Sequence, residues 1–290
     1  MSKIAILTDS SCDIPQEMAE KYGIDIMSFH ILLDDVDYVE RESCTNTEFY
    51  DKMRLAKGVP STAAITPIQF CEKYCQYVDE GYTDVIHVPI NKSGSSTYNN
   101  ALMAQGMLRE ERPEHHMKIH LLDPHTYSMV FGWYLCEMAR KLQNGAELRH
   151  VISEFETQMN KMEVILGPYS LKQMKKSGRI SAAAAVMGEL MGIRPIITLI
   201  DGKTRVESKV RGDDKVIPAM IDLCKKRTEG VEDFDYMIGH TSIPQAAELE
   251  KACRKAFGKA PLTTFNLGGV VSANTGPDTL ALVYVGKPRD

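Results

Sequence analysis

The first 145 residues alternate between short apolar runs rich in β-branched residues and longer amphipathic runs. The strand-like runs cover residues 3–7, 24–32, 84–89 and 118–122. Between them lie helix-like segments near residues 46–56, 67–80, 98–111 and 127–143. This alternation predicts an α/β domain with a mainly parallel sheet and helices on both faces. In such sheets ligands bind in the loops beyond the carboxyl ends of the strands.

The second half of the chain follows a different order of elements. A helix-like segment at 148–161 precedes a strand at 163–168, and two further strands flank the hairpin turn signal Asp201-Gly202. Helices at 213–227 and 245–257 then alternate with strands at 236–240, 262–265 and 280–285. This order predicts a mixed α/β domain. We therefore expect two domains, an N-terminal one over 1–160 and a C-terminal one over 161–290.

Charge and cysteine usage narrow the class of protein. Thirty-nine acidic and 34 basic residues give a net charge of -5, which disfavours binding to nucleic acid. The seven cysteines are an odd, scattered set without a disulfide framework, which indicates a reducing compartment and a cytoplasmic location. The most apolar long stretch, 180–200, contains Glu189 and Arg194, and Pro195 interrupts it, so we expect no integral membrane segment.

The common catalytic signatures are absent from the sequence. It contains no GxSxG, HExxH or GxGxxG motif and no Walker A loop. We expect no metal, no cofactor and no catalytic residue. The alternative interpretation is an enzyme, a hydrolase or transferase, acting on an anionic small molecule in the cleft between domains. Its candidate residues are Asp9, Ser95 and His240.

Three hydroxyl-rich loops follow predicted strands or precede predicted helices: 8–15, 60–67 and 93–98. In the first, Asp13 or the residue after it is expected to cap a helix that has Pro15 in its first turn. In the second, Thr66 is expected to cap a helix that begins at Pro67, which leaves Thr62 without a local role. Backbone amides at the helix start in the third loop favour an anion, although helix capping alone also explains its composition.

Two further segments, one basic and one glycine-rich, are candidates for ligand contact. Arg179, within 175–181, either presents a guanidinium group to a carboxylate or belongs to a solvated run of charge. The segment 267–278 either lets the backbone approach a ligand or forms a long turn before the last strand. Together with the apolar stretch 180–200, these segments favour a ligand that has an anionic head and an apolar body.

Taken in order, these motifs resemble those of the DegV family over nearly the whole chain. The resemblance is carried by 8–15, the Thr62 loop, 95–98, the Gly-Arg-Ile-Ser motif within 177–181, and 275–277. It implies a bacterial fatty-acid-binding protein of two α/β domains, with the carboxylate at the domain interface and the acyl chain enclosed in the C-terminal domain. In some members the fatty acid is presented to an ATP-dependent fatty acid kinase, which makes an acyl phosphate for phospholipid synthesis.

The resemblance also implies roles for individual residues. The carboxylate-binding residues would be Thr62, Ser95, Arg179 and Asn274. Secondary ligand contacts would come from Ser10, Ser96, Thr97 and Thr275. Arg211 matches a basic position associated with the kinase encounter.

Two departures from the family's pattern concern the predicted head-group site. The segment 63–65 reads Ala-Ala-Ile where Ser-Gln-Pro is usual, and Asn274 stands where histidine is common. Asparagine can donate a hydrogen bond, but it carries no charge and cannot shuttle a proton. These departures leave open whether the bound head group is a simple carboxylate.

Overall fold

The computed structural model describes residues 3–179 and 192–289. The strands are β1 (Ile4–Asp9), β2 (Ile24–Met27), β3 (His30–Leu33), β4 (Val36–Val39), β5 (Ser61–Ala63), β6 (Asp84–Val88), β7 (Lys118–Leu121), β8 (Met162–Pro168), β9 (Ile193–Ile200), β10 (Lys203–Arg211), β11 (Tyr236–His240), β12 (Thr264–Asn266) and β13 (Thr279–Val285). The helices are α1 (Gln16–Tyr22), α2 (Asn46–Leu55), α3 (Pro67–Asp79), α4 (Thr97–Glu111), α5 (Met129–Gln143), α6 (Leu148–Met159), α7 (Lys172–Ser177), α8 (Val216–Arg227), α9 (Gln245–Phe257) and α10 (Gly269–Thr275).

A parallel four-stranded sheet, in the order β2-β1-β6-β7, forms the centre of the N-terminal part. Alternate side chains of β1 point to opposite faces, as expected of a strand. Ile6 packs in a cluster with residues of α1 and α5, whereas Leu7 packs in another with residues of α3 and α4. The predicted parallel sheet with helices on both faces is therefore confirmed.

The run 24–32, predicted as one strand, forms two strands in different sheets. β2 pairs with β1, whereas β3 pairs with β4 and β5 in an antiparallel three-stranded sheet. The prediction was wrong because Phe29, between the two strands, makes its backbone hydrogen bonds elsewhere. Its N–H donates to Ser10 Oγ at 3.0 Å, and its carbonyl accepts from the Glu40 N–H at 2.9 Å. These bonds turn the chain away from the parallel sheet.

The C-terminal part has a mixed six-stranded sheet in the order β10-β9-β8-β13-β11-β12. The β11–β12 pair is parallel and the other neighbours are antiparallel. One face carries Val164 and Leu166, which pack toward the N-terminal part. The other face carries Ile165 and is covered by α8 and α9. The mixed α/β prediction is confirmed, and so is the hairpin turn, where Asp201 and Gly202 have φ of 50° and 69°.

Two helix starts were predicted from capping residues. Thr66 caps α3 as predicted, since its side chain accepts from the Gln69 N–H in a capping box. The prediction that Asp13 or its neighbour caps α1 was wrong, because Pro15 occupies the N-cap position and makes no side-chain bond. The Asp13 carboxyl instead accepts a hydrogen bond from the Ser128 hydroxyl.

One hydrophobic cluster joins the two parts of the chain. It includes Ile86 of the parallel sheet, Leu135 of α5 and Val283 of the mixed sheet. The boundary predicted at residue 160 lies in the turn between α6 and β8 and remains a prediction. Across the residues that the structure describes, no helix is both long enough and apolar enough to cross a bilayer.

Candidate functional site

A cavity of about 190 Å³ lies between the mixed sheet and the loops of the N-terminal part. Its walls are mainly apolar, as is typical of small-molecule sites. The described apolar lining residues are Phe29, Ala64, Ile90, Val130, Val164, Leu166, Leu199, Phe265, Leu267, Val270, Val271, Ala281 and Val283.

The register of the mixed sheet builds one wall of this cavity. Val164 of β8 lies opposite both Leu199 of β9 and Val283 of β13, and Thr204 of β10 lies opposite Leu199. All four residues line the cavity, so four neighbouring strands contribute one row of side chains. The sequence did not single out this row, because every residue of β8 is buried and the strand lacks an alternation of polar and apolar residues.

Six of the predicted ligand residues line this same cavity. They are Thr62, Ser95, Ser96, Arg179, Asn274 and Thr275. They come from β5, the loop before α4, the segment just after α7 and helix α10. The fold therefore collects on one surface residues that are up to 213 positions apart in the sequence (275 minus 62).

Thr62 lies on β5, where it is paired with Ile31 of β3. The chain that follows is held in place at two points. The Ile65 carbonyl accepts from Asn100 Nδ2 at 2.7 Å, and Thr66 caps α3. β5 was not predicted, since its three residues are all exposed and carry no hydrophobic pattern. The edge strand nevertheless fixes Thr62 at the cavity wall.

Ser95 serves the helix and the cavity at once. Its Oγ accepts from the Thr97 N–H at 3.2 Å and lies 2.9 Å from Thr97 Oγ1. Thr97 itself is fully buried and is not among the described lining residues. The N-cap residue of α4 is Ser96, which makes no side-chain capping bond. Ser95 precedes it, bonds to the first residue of the helix and lines the cavity.

Asn274 lies on a helix that the sequence did not predict. Segment 267–278 was expected to be a glycine-rich loop or a long turn, but it contains α10, which ends where Gly276 adopts a φ of 91°. The Asn274 side-chain amide donates from Nδ2 to the Val270 carbonyl at 2.8 Å. This bond orients the amide group and leaves one N–H of Nδ2 and the oxygen for other partners.

Arg179 lies at the mouth of the cavity, where its side chain is exposed. It follows Gly178, whose φ of 69° ends α7, and its N–H donates to Ser177 Oγ at 3.3 Å. The remainder of the motif, Ile180 and Ser181, lies outside the described residues. The same holds for the part of the predicted apolar stretch that spans 180–191.

Two other predicted site residues are located away from the lining surface. Ser10 is buried; its hydroxyl donates to the Glu40 carboxyl and accepts from the Phe29 N–H. Arg211 is the last residue of β10 and is exposed. Ser10 thus lies in the protein interior beneath residues that line the cavity, such as Phe29, and Arg211 lies on the outer surface.

Tyr127 and Ser128 also line the cavity and had no recognisable signal in the sequence. A Cβ at Gly94 would overlap the Tyr127 hydroxyl, so the hydroxyl-rich loop packs directly on this ring. Burial raises the pKa of Tyr127. Ser128 has a φ of 65°, which is uncommon for a residue with a side chain, and its hydroxyl donates to Asp13. Burial and the nearby Glu40 carboxyl raise the pKa of Asp13.

The residues of the enzyme interpretation do not form a cluster. Asp9 is fully buried and accepts from the Ile90 N–H at 2.6 Å, and burial raises its pKa to about 6. The His240 ring accepts from the Ser242 N–H at 3.0 Å, and burial lowers its pKa. Among the described residues that line the cavity, Ser95 is present and Asp9 and His240 are not.

Metal-ligating side chains are not grouped in the described part of the chain. Within 3–179 and 192–289, no set of three or more His, Cys, Asp or Glu side chains is placed to hold an ion. His120, for example, pairs with Asp84, with 2.9 Å between Nε2 and Oδ1.

The chain is similar in sequence and in fold to a family of known proteins. Residues 3–287 match the family model described as "Uncharacterised protein, DegV family". A DegV domain-containing protein of Clostridium perfringens is 29% identical over 289 residues, which cover 98% of this chain and 99% of that protein. A structure described as a stearic-acid-binding protein of Eubacterium ventriosum has a TM-score of 0.89 at 22% identity and covers 99% of both chains. A fatty-acid-binding DegV family protein of Streptococcus agalactiae has a TM-score of 0.85 at 25% identity, covering 99% of this chain and 100% of the other.

Proposed function

The chain belongs to the DegV family, and from that premise and the cavity's geometry we propose that it binds one long-chain fatty acid without turning it over. The observation that carries this proposal is that one cavity combines two surfaces. One is a row of mainly apolar side chains from four strands, and the other is a rim of neutral hydrogen-bonding groups. A ligand with an apolar body and a small polar head complements both surfaces.

The head group is assigned to the rim formed by Thr62, Ser95 and Asn274. Each of these side chains can donate a hydrogen bond without carrying charge. Arg179, at the exposed mouth, is the cation among the described lining residues and complements a carboxylate from the solvent side. A carboxylate held in this way avoids a fully buried ion pair, so that it remains available to a second protein. Ser96 and Thr275 provide secondary contacts.

The acyl chain is assigned to the wall built by β8, β9 and β13. Burying methylene groups there is favourable by about 0.8 kcal/mol each, which favours long chains over short ones. The described residues of this wall carry no charge, so binding of a ligand with an anionic group along its acyl chain would be disfavoured.

We further propose that the bound fatty acid is presented to an ATP-dependent fatty acid kinase, which would phosphorylate the carboxylate for phospholipid synthesis. Arg211 is exposed at the end of β10 and is assigned to the kinase contact. An Arg211→Ala variant should bind fatty acid like the native protein and yield acyl phosphate more slowly when mixed with a fatty acid kinase and ATP. Equal rates for the two proteins would remove Arg211 from this role.

The first experiment is extraction of freshly purified protein with organic solvent, followed by mass spectrometry of the bound material. Heat-stripped protein and a mock purification are the controls. A stoichiometric fatty acid supports the proposal and identifies the chain length. If the extract is blank and the stripped protein also fails to bind any member of a fatty-acid panel, the fatty-acid proposal is wrong. Turnover of acyl esters or phosphoesters that Asp9→Ala abolishes would then favour the enzyme alternative.

A further inference from the structure

Glu40 lies buried between the N-terminal loop and helix α10, with 6% of its surface exposed. Its Oε1 accepts from the Val270 N–H at 2.8 Å, and its other carboxyl oxygen accepts from the Ser10 hydroxyl. Ser10 Oγ in turn accepts from the Phe29 N–H at 3.0 Å. The Glu40 side chain therefore links the Ser10 loop to Val270, which lies 230 residues after Glu40 in the sequence.

Two glycines at the start of α10 make this contact possible. A Cβ at Gly268 would lie 2.8 Å from Glu40 Oε1 and would also overlap the Asp13 carboxyl. A Cβ at Gly269 would lie 2.8 Å from Ile31 Cδ1 and 3.2 Å from Glu40 Oε1. A larger residue at Gly268 would require α10 or the Asp13 and Glu40 side chains to move. The glycine pair that looked like a loop signal is thus a docking surface for the buried side chain.

Helix α10 connects this contact to the cavity. Both backbone groups of Val270 are held, since its N–H donates to Glu40 and its carbonyl accepts from Asn274 Nδ2 at 2.8 Å. Val270, Val271, Asn274 and Thr275 all line the cavity. A shift of α10 would therefore move part of the apolar wall and part of the polar rim together.

We propose that Glu40 is a positioning residue for the ligand site, which holds helix α10 so that Asn274 and Thr275 face the head group. The role depends on the reach of the side chain, which must span Ser10 and the Val270 N–H at once. The proposal rests on the proposed function for its ligand, but the contact itself can be tested without one.

Two substitutions of Glu40 separate the effect of its side-chain length from the effect of its charge. Glu40→Gln keeps the length, because its oxygen can accept from Val270 and its amide can donate to Ser10. Glu40→Asp keeps the charge but is one methylene shorter. Fatty-acid affinity, measured by titration of stripped protein with oleate, should stay within threefold of native in Glu40→Gln. It should fall at least tenfold in Glu40→Asp. The control is Glu42→Asp at a neighbouring exposed position, which should not change affinity.

Two binding outcomes would overturn the proposal. One is native-like affinity in folded Glu40→Asp. The other is a loss in Glu40→Gln as large as that in Glu40→Asp, since a side chain of native length would then fail to preserve the site.

A ligand-free measurement on the native protein keeps the test independent of folding defects and of the proposed function. The Val270 N–H should be protected from hydrogen exchange like amides in the centre of α5, and the Asn274 side-chain amide should give one resolved pair of NMR signals. Both features should persist in Glu40→Gln. Exchange of Val270 as fast as that of exposed loop amides would overturn the positioning role. Failure of native protein to bind oleate, with Val270 protected, would count against the proposed function alone.

Discussion

The Nδ1 atom of His125 lies 2.9 Å from Oδ1 of Asp201, and this pair joins the loop after β7 to the turn between β9 and β10. The next residue of the turn, Gly202, lines the cavity. A Cβ at Gly202 would overlap the Asn91 side chain and lie 2.6 Å from Ser93 Oγ. The turn of the mixed sheet therefore closes the cavity against the loop that carries Ser95.

The ion pair itself should contribute little to this closure. The His125 and Asp201 side chains are each 47% exposed, and exposed pairs contribute about 0–1 kcal/mol. We expect Asp201→Asn to lower the free energy of unfolding by less than about 1 kcal/mol, since asparagine also tolerates the positive φ at this position. Urea denaturation measures this change. A loss of several kcal/mol would show that the pair, rather than the packing of Gly202, holds the turn.

Replacing Gly202 should have a larger effect. Gly202 and Gly258 have similar φ values of 69° and 73°, but a Cβ at Gly258 meets no atom within 4 Å. Gly258→Ala should therefore cost only the left-handed backbone conformation, about 1–2 kcal/mol. Gly202→Ala should destabilise the fold further and weaken fatty-acid binding, because the turn or the Asn91 and Ser93 side chains must move. If the two variants match in stability and affinity, the turn does not close the cavity.

Loss of a rim hydroxyl should weaken binding of the head group. Thr62→Ala and Ser95→Ala should each reduce fatty-acid affinity by about 0.5–1.5 kcal/mol, the usual net value of a neutral hydrogen bond. The control is Thr157→Ala on α6, where the hydroxyl bonds to the Ser153 carbonyl away from the cavity. Isothermal titration with a fatty acid measures all three. Unchanged affinity in both rim variants would place the head group elsewhere.

The shape of the apolar wall depends on a glycine in the mixed sheet. Gly239 lies opposite Ala281 on the cavity face, and a Cβ there would lie 2.9 Å from Phe265 Cζ and 3.1 Å from Leu267 Cδ2. Gly239→Ala should push the Phe265 ring into the cavity and reduce affinity most for the longest acyl chains. The matched control is Gly106→Ala in α4, where no atom lies within 4 Å of the added Cβ.

The control variant should gain about 0.5–1 kcal/mol of stability, because alanine favours a helix over glycine. Binding assays with fatty acids of graded length test the Gly239 prediction. An equal reduction for short and long chains in Gly239→Ala would contradict it.

The pH dependence of stability should report on Glu40. Burial raises its pKa to about 7 from an ordinary value of 4.5. Between these values the unfolded chain ionises Glu40 while the folded protein keeps it protonated, so stability falls as pH rises. The change is on the order of 3 kcal/mol and ends above pH 7. Asp9, Asp13, Arg41 and Tyr50 also interact electrostatically in this region.

Glu40→Gln should remove this part of the pH dependence. The difference in unfolding free energy between native protein and Glu40→Gln, measured from pH 4.5 to 7.5, isolates the contribution of Glu40 from those of its neighbours. A difference that is constant with pH would mean that Glu40 titrates normally in the folded protein.

Periodicity predicted the elements that have one strong hydrophobic pattern. The bounds of α3, α6 and α9 were predicted to within two residues, since amphipathic helices of 12 or 13 residues bury one stripe of side chains. The failures involve short or unusual elements. β5 has no buried residue, and α10 begins at the second of two glycines and ends in Asn274-Thr275, a composition typical of loops. Their conformations depend on long-range contacts, such as that between Glu40 and Val270.

The sequence by itself determined the fold class, the hydroxyl-rich loops and six residues that prove to share one cavity. The fold class and the loops follow from local patterns, because propensity, capping and turn chemistry act over a few neighbouring residues. The six residues were identified through the resemblance of their motifs to those of the family. Tertiary structure alone decided that Ser10 and Thr97 are buried and bond to neighbouring residues without lining the cavity. It also decided that Tyr127 and Ser128 line it. It also decided that the row through Val164 forms the wall. These relationships depend on strand register and on packing between distant segments, which a single sequence does not encode as any local pattern.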